Sequence, residues 1–227
     1  MKRIVLEEIG STNDYAKALR KEKTPLVVTA LRQVGGRGTK GRSFCSKEGG
    51  IYLSMLRFPE NFLAKDAFKI MSGAAVAVCE TLRTCGVEPT IKWANDVFVN
   101  GKKICGILIE NTLSGDKIAS SIVGVGVNIC NPLPDELAEI ATSLYLETGK
   151  RFSVEKITER LIEELLKERT IDDYRAYLGF IGARVTLILG DELVPATLLG
   201  VDDEGRLLAE INGERRVFSS AEVSVRL

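Results

Sequence analysis

Asn100-Gly101 stands between two apolar, β-branched runs, Ile91 to Val99 and Lys103 to Glu110. Such a pair favours the type I′ turn of a tight hairpin, because both positions accept a positive φ at little steric cost. Two strands are thereby set side by side and antiparallel, and the register around Lys103 is well specified. Leu26 to Ala30, Ile51 to Phe58 and Ile118 to Ile129 are further strand candidates. Lys65 to Leu82 carries Phe68, Met71, Ala75 and Val78-Cys79 at helical spacing, with small residues that suit close packing on a sheet and Gly86 as a stop. Ser11 to Asp14 reads as the capped start of another helix, whose first turn exposes N–H groups. Two more helical segments are predicted, over 134–148 and 153–177.

From Gly182 the texture changes. Val185 to Leu189, Val194 to Val201, Leu207 to Ile211 and Val217 to Val225 are short strand-like runs. They are joined by Gly190-Asp191, Asp203-Glu204-Gly205 and Asn212-Gly213, the pattern of a small antiparallel barrel. The organisation expected is α+β: strands and helices packed together over 1–180, then a small β-barrel over 181–227.

Charge and composition narrow the chemistry. The 227 residues hold 31 Lys plus Arg, 31 Asp plus Glu and no histidine. A formal charge of zero gives no global field toward nucleic acid or anionic lipid, so any anion site must be local. Without histidine the Ser-His-Asp and Cys-His nucleophile systems and the H-E-x-x-H metalloprotease are excluded, leaving Lys, Arg, carboxylates and backbone dipoles. Five cysteines, Cys45, Cys79, Cys85, Cys105 and Cys130, are odd in number and lack C-x-x-C spacing, so they are read as buried small apolar residues. No signal peptide and no run of ~20 apolar residues is found, which points to a cytoplasmic protein without a membrane partner.

Gly36-Arg37-Gly38-Thr39-Lys40-Gly41-Arg42 spells G-x-G-x-x-G and comes close to a Walker A box. Both motifs need a helix directly after the glycines, whereas Phe44 to Gly50 reads as a loop leading into a strand. The charge is more informative: Arg32, Arg37, Lys40, Arg42 and Lys47 fall between Thr29 and Lys47 with no acid among them. Glycines allow close backbone approach and arginines offer planar donors for carboxylate or phosphate. A solvated basic loop is the plain alternative. Two further constellations are Lys92-Trp93-Ala94-Asn95-Asp96 with Lys103-Ile104-Cys105-Gly106-Ile107, and Gly124-Val125-Gly126-Val127-Asn128. Singly, each has an ordinary packing explanation.

Together, Ser11-Thr12-Asn13, Gln33 with Gly36-Arg37-Gly38-x-x-Gly41-Arg42, Lys92-Trp93-x-Asn95-Asp96, Lys103-x-x-Gly106-Ile107 and Gly124-x-Gly126-x-Asn128 resemble the signature set of biotin protein ligases, over essentially the whole chain. The resemblance implies a catalytic fold of a mixed sheet with helices, related to class II aminoacyl-tRNA synthetases, followed by an SH3-like barrel. It also implies a two-step reaction in which biotin and MgATP give biotinyl-5′-AMP and pyrophosphate, and a carrier-protein lysine then takes the biotin. By resemblance Ser11, Thr12, Asn13, Gln33 and Arg37 hold biotin, with Gly36, Gly38, Thr39, Gly106 and Gly124 around it. Lys103 sits where carboxylate and phosphate meet. Lys92, Trp93, Asn95, Ile107 and Asn128 face the nucleotide, with Arg37, Thr39, Lys40 and Arg42 nearby. Lys103, Arg37 and Asp96 are the catalytic candidates, Asp96 helping to position Mg2+ or to deprotonate the incoming lysine, without a dedicated metal site.

The partner implied is the biotin carboxyl carrier domain of a carboxylase, and the assembly a homodimer through sheet edges. The chain begins at the catalytic region, without the winged helix that lets some members bind DNA, so no nucleic acid is expected. Two positions depart from the family pattern. Thr39 replaces an arginine that in relatives helps hold the adenylate's phosphate, so retention of the intermediate is weakened unless Lys40 substitutes. Ala94 replaces a customary proline, which loosens its turn. A lipoate ligase or transferase of the same fold, and a non-enzymatic biotin sensor, are the competing readings.

Overall fold

The computed structural model describes residues 1–226, Lys40 by its backbone alone. β1 (Lys2–Ile9), α1 (Thr12–Leu19), β2 (Leu26–Gln33) and β3 (Ile51–Arg57) precede the long helix α2 (Ala67–Arg83). β4 (Thr90–Lys92), β5 (Asp96–Val99), β6 (Lys102–Ser114) and β7 (Lys117–Val127) complete a seven-stranded sheet of order β1-β2-β3-β7-β6-β5-β4. The β1–β2 pair is parallel and the other neighbours are antiparallel, so the sheet is mixed. After α3 (Leu144–Thr148), α4 (Val154–Leu165) and α5 (Ile171–Tyr177), the chain forms β8 (Arg184–Leu189), β9 (Glu192–Val201), β10 (Leu207–Ile211), β11 (Glu214–Phe218) and β12 (Val223–Arg226). These make a five-stranded antiparallel sheet of order β11-β10-β9-β8-β12. The α+β architecture is thus the one expected.

Each face of the large sheet has its own core. Ala16 of α1 packs on Leu26, Val28, Leu56 and Ile122. On the other face α2 buries Ile70, Val76, Val78, Cys79 and Leu82, and α4 and α5 pack against α2. Burying a Val, Leu or Ile side chain contributes roughly 1.5–3 kcal/mol. This second core continues into the small sheet through Val185, Leu187, Leu198 and Val223. Among the described residues no helix is long and apolar enough to cross a membrane.

The predicted hairpin forms, with Asn100 at φ 49° and Gly101 at φ 79°. Its first arm is not one strand, however: β4 and β5 pair antiparallel around a turn at 93–95 whose Trp93–Ala94 peptide is cis. Ala94, expected to loosen that turn, is buried, and its carbonyl accepts a hydrogen bond from Tyr174 Oη at 3.0 Å. Residues 134–148, predicted helical, hold one 3-10 turn at Asp135–Leu137 and the short α3. Between them the backbone is spent on β6: Lys103 N–H donates to Ile140 O and Thr142 N–H to Lys103 O, both at 2.9 Å, in place of helical bonds. The helix predicted over 153–177 breaks between α4 and α5, where Thr170 and Asp173 form a reciprocal capping box. The run Val217–Val225 splits into β11 and β12 at a turn fastened by Ser219 N–H donating to Glu222 Oε2 at 2.7 Å. All five cysteines are free: Cys79 and Cys105 are buried, Cys85 and Cys130 are half-buried against the same core, and Cys45 is half-buried away from it, so full burial holds for two of them.

Candidate functional site

The site begins as a bare patch on the large sheet. Gly106 faces Gly126 and Leu108 faces Gly124 across β6–β7. Side chains from other segments fill the space: a Cβ on Gly124 would lie 2.3 Å from Asn13 Oδ1, and one on Gly126 2.6 Å from Phe44 Cε1. Close approach, not backbone conformation, requires glycine at both positions. Above the patch, the start of α1 is tied down by polar side chains. Thr12 donates from N–H and Oγ1 to Gln33 Oε1 at 2.8 and 3.0 Å, and Gln33 Nε2 donates to Ser46 Oγ at 2.9 Å. Ser54 Oγ lies 2.7 Å from Thr12 Oγ1 and 2.6 Å from Asn13 Oδ1, while Asn13 Nδ2 donates to Glu110 Oε2 at 2.8 Å. Ser11, expected to cap α1, makes no capping bond, and Gln33 takes the Thr12 N–H instead. This network encloses a first cavity of about 90 Å³.

The glycine loop closes one side of it. Arg37 and Ser43 form a β-bridge around a single 3-10 turn at Thr39–Gly41, and Phe44 to Gly50 runs irregularly into β3, as expected of a loop that is neither dinucleotide nor Walker type. The loop's charge is less unopposed than its sequence suggests. Arg32 pairs with Glu8 at 2.6 Å, and Arg37 with Asp14 and, at 3.9 Å, Glu110. The acids arrive from β1, α1 and β6. Arg42 has no ion-pair partner among the described residues and lines both this cavity and the next. The Lys40 side chain lies outside the described residues.

A second cavity of about 320 Å³ adjoins the first, and Thr39, Arg42 and Asn95 line both. Lys92, Trp93 and Asp96 form one wall, Phe68 and Met71 of α2 another, and Val223 and Val225 of β12 a third. Trp93 Nε1 donates to Gly205 O at 2.9 Å, so the small sheet's β9–β10 turn fixes the indole. Asn95 Nδ2 donates to Ile107 O at 2.8 Å. Burial lowers the pKa of Lys92, and the nearby Lys103 and Arg42 lower it further against the opposing pull of Asp96.

Lys103 of the first cavity and Asp96 of the second meet at their boundary, Nζ to Oδ1 2.7 Å, an ion pair without hydrogen-bond alignment. A bulge brings this about. Val97 pairs with Cys105 but Phe98 with Lys103, leaving Ile104 as the extra residue. Lys103 and Gly106, three residues apart, would stand on opposite faces of a regular strand. Here Lys103 Nζ is 3.2 Å from the position of a Cβ on Gly106.

Of the predicted residues, Ser11, Thr12, Asn13, Gln33, Arg37 and Gly38 line the first cavity, joined by Lys103, Gly106, Ile107 and Gly124. Gly36 lines neither cavity; its Cα packs where a Cβ would be 2.5 Å from Phe44 O and Ser46 Oγ. Asn128, expected to face the nucleotide, also lines neither: its side chain is spent on Thr142 O at 3.0 Å and Asn131 Nδ2 at 3.1 Å. Sequence reasoning missed Phe44, Ser54, Glu110 and Asn111. Glu110 carried a signal, as an acid at the end of an apolar run. Asn111 Oδ1 is buried without a hydrogen bond at the second cavity's wall. Among the described residues no group of three or more Cys, Asp or Glu side chains gathers to hold a metal ion.

Known proteins are similar to this chain in sequence and fold. Residues 5–128 match the biotin/lipoate A/B protein ligase family, and residues 180–226 match the biotin protein ligase C-terminal domain. The chain is 34% identical over 233 residues to the bifunctional ligase/repressor BirA of Bacillus subtilis, covering 93% of this chain and 70% of that protein. It is 32% identical over 241 residues to the biotin--[acetyl-CoA-carboxylase] ligase of Mycobacterium tuberculosis, covering 96% and 87%. Its fold superposes on the biotin protein ligase from Aquifex aeolicus in complex with biotin and ATP, with TM-score 0.82 and 30% identity over 99% of this chain and 98% of that one.

Proposed function

Because the chain belongs to the biotin/lipoate A/B protein ligase family, we propose that it is an ATP-dependent biotin--[acetyl-CoA-carboxylase] ligase acting on a biotin carboxyl carrier protein. The observation that carries this reading is the Lys103–Asp96 pair at the seam of two adjoining cavities. Biotin enters the first cavity, where the Ser11-Thr12-Asn13 segment and Gln33 meet its polar ring edge, and the nucleotide enters the second. Two anions must approach one another for the biotin carboxylate to attack the α-phosphate. Lys103 neutralises the carboxylate from one side, and Arg42, without an acidic partner among the described residues, takes phosphate charge from the other. Arg37 adds charge to the first cavity once a ligand competes for it with Asp14 and Glu110.

No protein nucleophile is required, in keeping with a chain that has no histidine. In the second step the carrier lysine attacks the mixed anhydride and AMP leaves. Asp96 is the carboxylate nearest the reacting atoms. Mg2+ commonly binds through one or two carboxylates plus substrate phosphates, so Asp96 would hold the ion that arrives with ATP and supplies charge neutralisation. A division into a catalytic unit over 1–180 and a C-terminal unit over 181–227, a cytoplasmic location and a homodimer through an open edge of the large sheet belong to the same reading. The match of 180–226 to the biotin protein ligase C-terminal domain favours biotin over lipoate.

The test is to mix the chain with labelled biotin, MgATP and a carrier domain. Label on the carrier lysine is expected, with pyrophosphate released only when biotin is present. Binding of biotin without pyrophosphate release would leave a sensor, and faster release with lipoate than with biotin would make the chain a lipoate ligase.

A further inference from the structure

A third cavity, about 240 Å³, opens on the sheet face that α2 covers, between β3, β7 and the segment after α4. Its walls are apolar where Met55, Ile70, Val123 and Leu165 meet. Amid them is Ser121, whose residue is 0% exposed and whose Oγ has no hydrogen-bond partner. Arg169 Nε, from the segment after α4 that also lines the cavity, is likewise buried without a hydrogen-bond partner, although the guanidinium's other end is tied to Glu164. Arg57 is the cross-strand neighbour of Ser121 and so shares its face. It has no ion-pair partner among the described residues. The other charges at the rim are spent or mixed: Lys69 pairs with Asp66, Lys167 pairs with Glu164, and Glu168 is the acid present.

A buried hydroxyl with no partner bears its full desolvation penalty, and native structures rarely keep one without a reason. An alanine or valine would fill the same place on an otherwise Val- and Ile-rich strand without that cost. The cavity therefore combines a free guanidinium, an open hydroxyl and an aliphatic wall, which suits a molecule with a planar anionic head and an apolar tail. We propose that this cavity binds a medium-chain aliphatic carboxylate, with the carboxylate on Arg57 and Ser121 Oγ and the chain against Met55, Ile70 and Val123. The proposal does not depend on what the first two cavities bind.

Octanoate is the probe, titrated into the full chain carrying labelled Met, Ile, Leu and Val methyls, with saturating biotin added to occupy the first cavity. Saturable methyl shifts are expected at Met55, Ile70 and Leu165, with Leu53 and Ile107 of the first cavity unmoved. Those positions identify the cavity whether or not biotin is bound. Arg57→Gln is expected to weaken octanoate about tenfold or more, the loss of a charge-assisted pair. Ser121→Ala is expected to weaken it several-fold while raising Tm, a combination that a purely structural serine would not give. Octanol and inorganic phosphate, each lacking half of the chemistry, should bind at least about tenfold more weakly. No saturable shift at Met55, Ile70 and Leu165, shifts confined to Leu53 and Ile107, phosphate binding as tight as octanoate, or unchanged affinity in Arg57→Gln and Ser121→Ala would each overturn the proposal.

Discussion

In the first cavity the polar side chains of α1 and β2 are already bonded, Thr12 to Gln33, Gln33 to Ser46 behind it, and Asn13 to Ser54 and Glu110. In the second, among the described residues Asn111 Oδ1 has no hydrogen-bond partner and Arg42, shared with the first, has no acidic one, while Lys92 is buried enough to hold its proton less firmly. A site whose donors are fixed beforehand recognises one shape at low entropic cost. A site that leaves charge unanswered gains most when an anion arrives, and it suits a polyphosphate that must be bound, cleaved and released. The walls differ in origin as well. One sheet face and its loops build the first cavity, whereas the second needs both sheets.

The largest test of this contrast falls on the residue at the seam. Lys103→Ala should lower biotin-dependent pyrophosphate release roughly 100-fold or more, as loss of a preorganised charge donor does, while the circular dichroism spectrum stays native. Normal release would remove Lys103 from the chemistry. Next, Gly124→Ala forces a Cβ against Asn13 Oδ1, and a strained or broken bond at that site costs on the order of 1–3 kcal/mol. The KM for biotin should rise about tenfold or more with the KM for ATP unchanged; equal effects on both would mean the cavities are not separately built.

Trp93→Phe removes the hydrogen bond to Gly205 O and leaves a carbonyl unpaired, worth about 1–3 kcal/mol. The expected signature is a higher KM for ATP and a Tm lower by several degrees, with biotin binding in the absence of ATP intact. A loss confined to biotin would reverse the assignment of the two cavities. A smaller effect concerns pH. Burial lets Lys92 lose its proton at a lower pH than an ordinary lysine, and a neighbouring polyphosphate draws that proton back. ATP binding should therefore take up a fraction of a proton at alkaline pH and weaken as pH rises through the lowered pKa, an effect abolished in Lys92→Met. Calorimetry in two buffers of different ionisation enthalpy measures it. The smallest expected change is at Thr39, which lines both cavities. Thr39→Arg should reduce biotinylation of bystander lysines by retaining the adenylate; equal labelling by the two proteins would clear Thr39 of any role in leakage.

How much of this could be read from the sequence depended on how local the determining chemistry was. Asn100-Gly101 announced its turn because two adjacent residues decide it. The break before α5 was also written locally, as Thr170-x-x-Asp173, but the apolar spacing on either side masked it. The loop cations were counted correctly and misjudged electrostatically, because Glu8, Asp14 and Glu110 are remote in sequence and reach the loop only through the parallel β1–β2 pair, α1 and β6. Asn128 matched a motif, yet its amide closes a bend with Thr142 and Asn131, a commitment invisible without coordinates. The bulge at Ile104 likewise has no one-dimensional signal, since every residue around it fits an ordinary strand.

The bond from Trp93 to Gly205 spans 112 positions of chain. Gly205 has φ 76°, and a Cβ there would meet Phe68 at 1.9 Å, so the turn that accepts the indole proton is wedged between two aromatic rings. The small sheet is therefore a plug in the flank of the large one rather than a tail hung from it. Grafting the last segment of a relative onto the body of this chain would exchange the back wall of the second cavity, and if that cavity holds the nucleotide as proposed, such hybrids should differ first in how they treat ATP and only secondarily in how they recognise biotin.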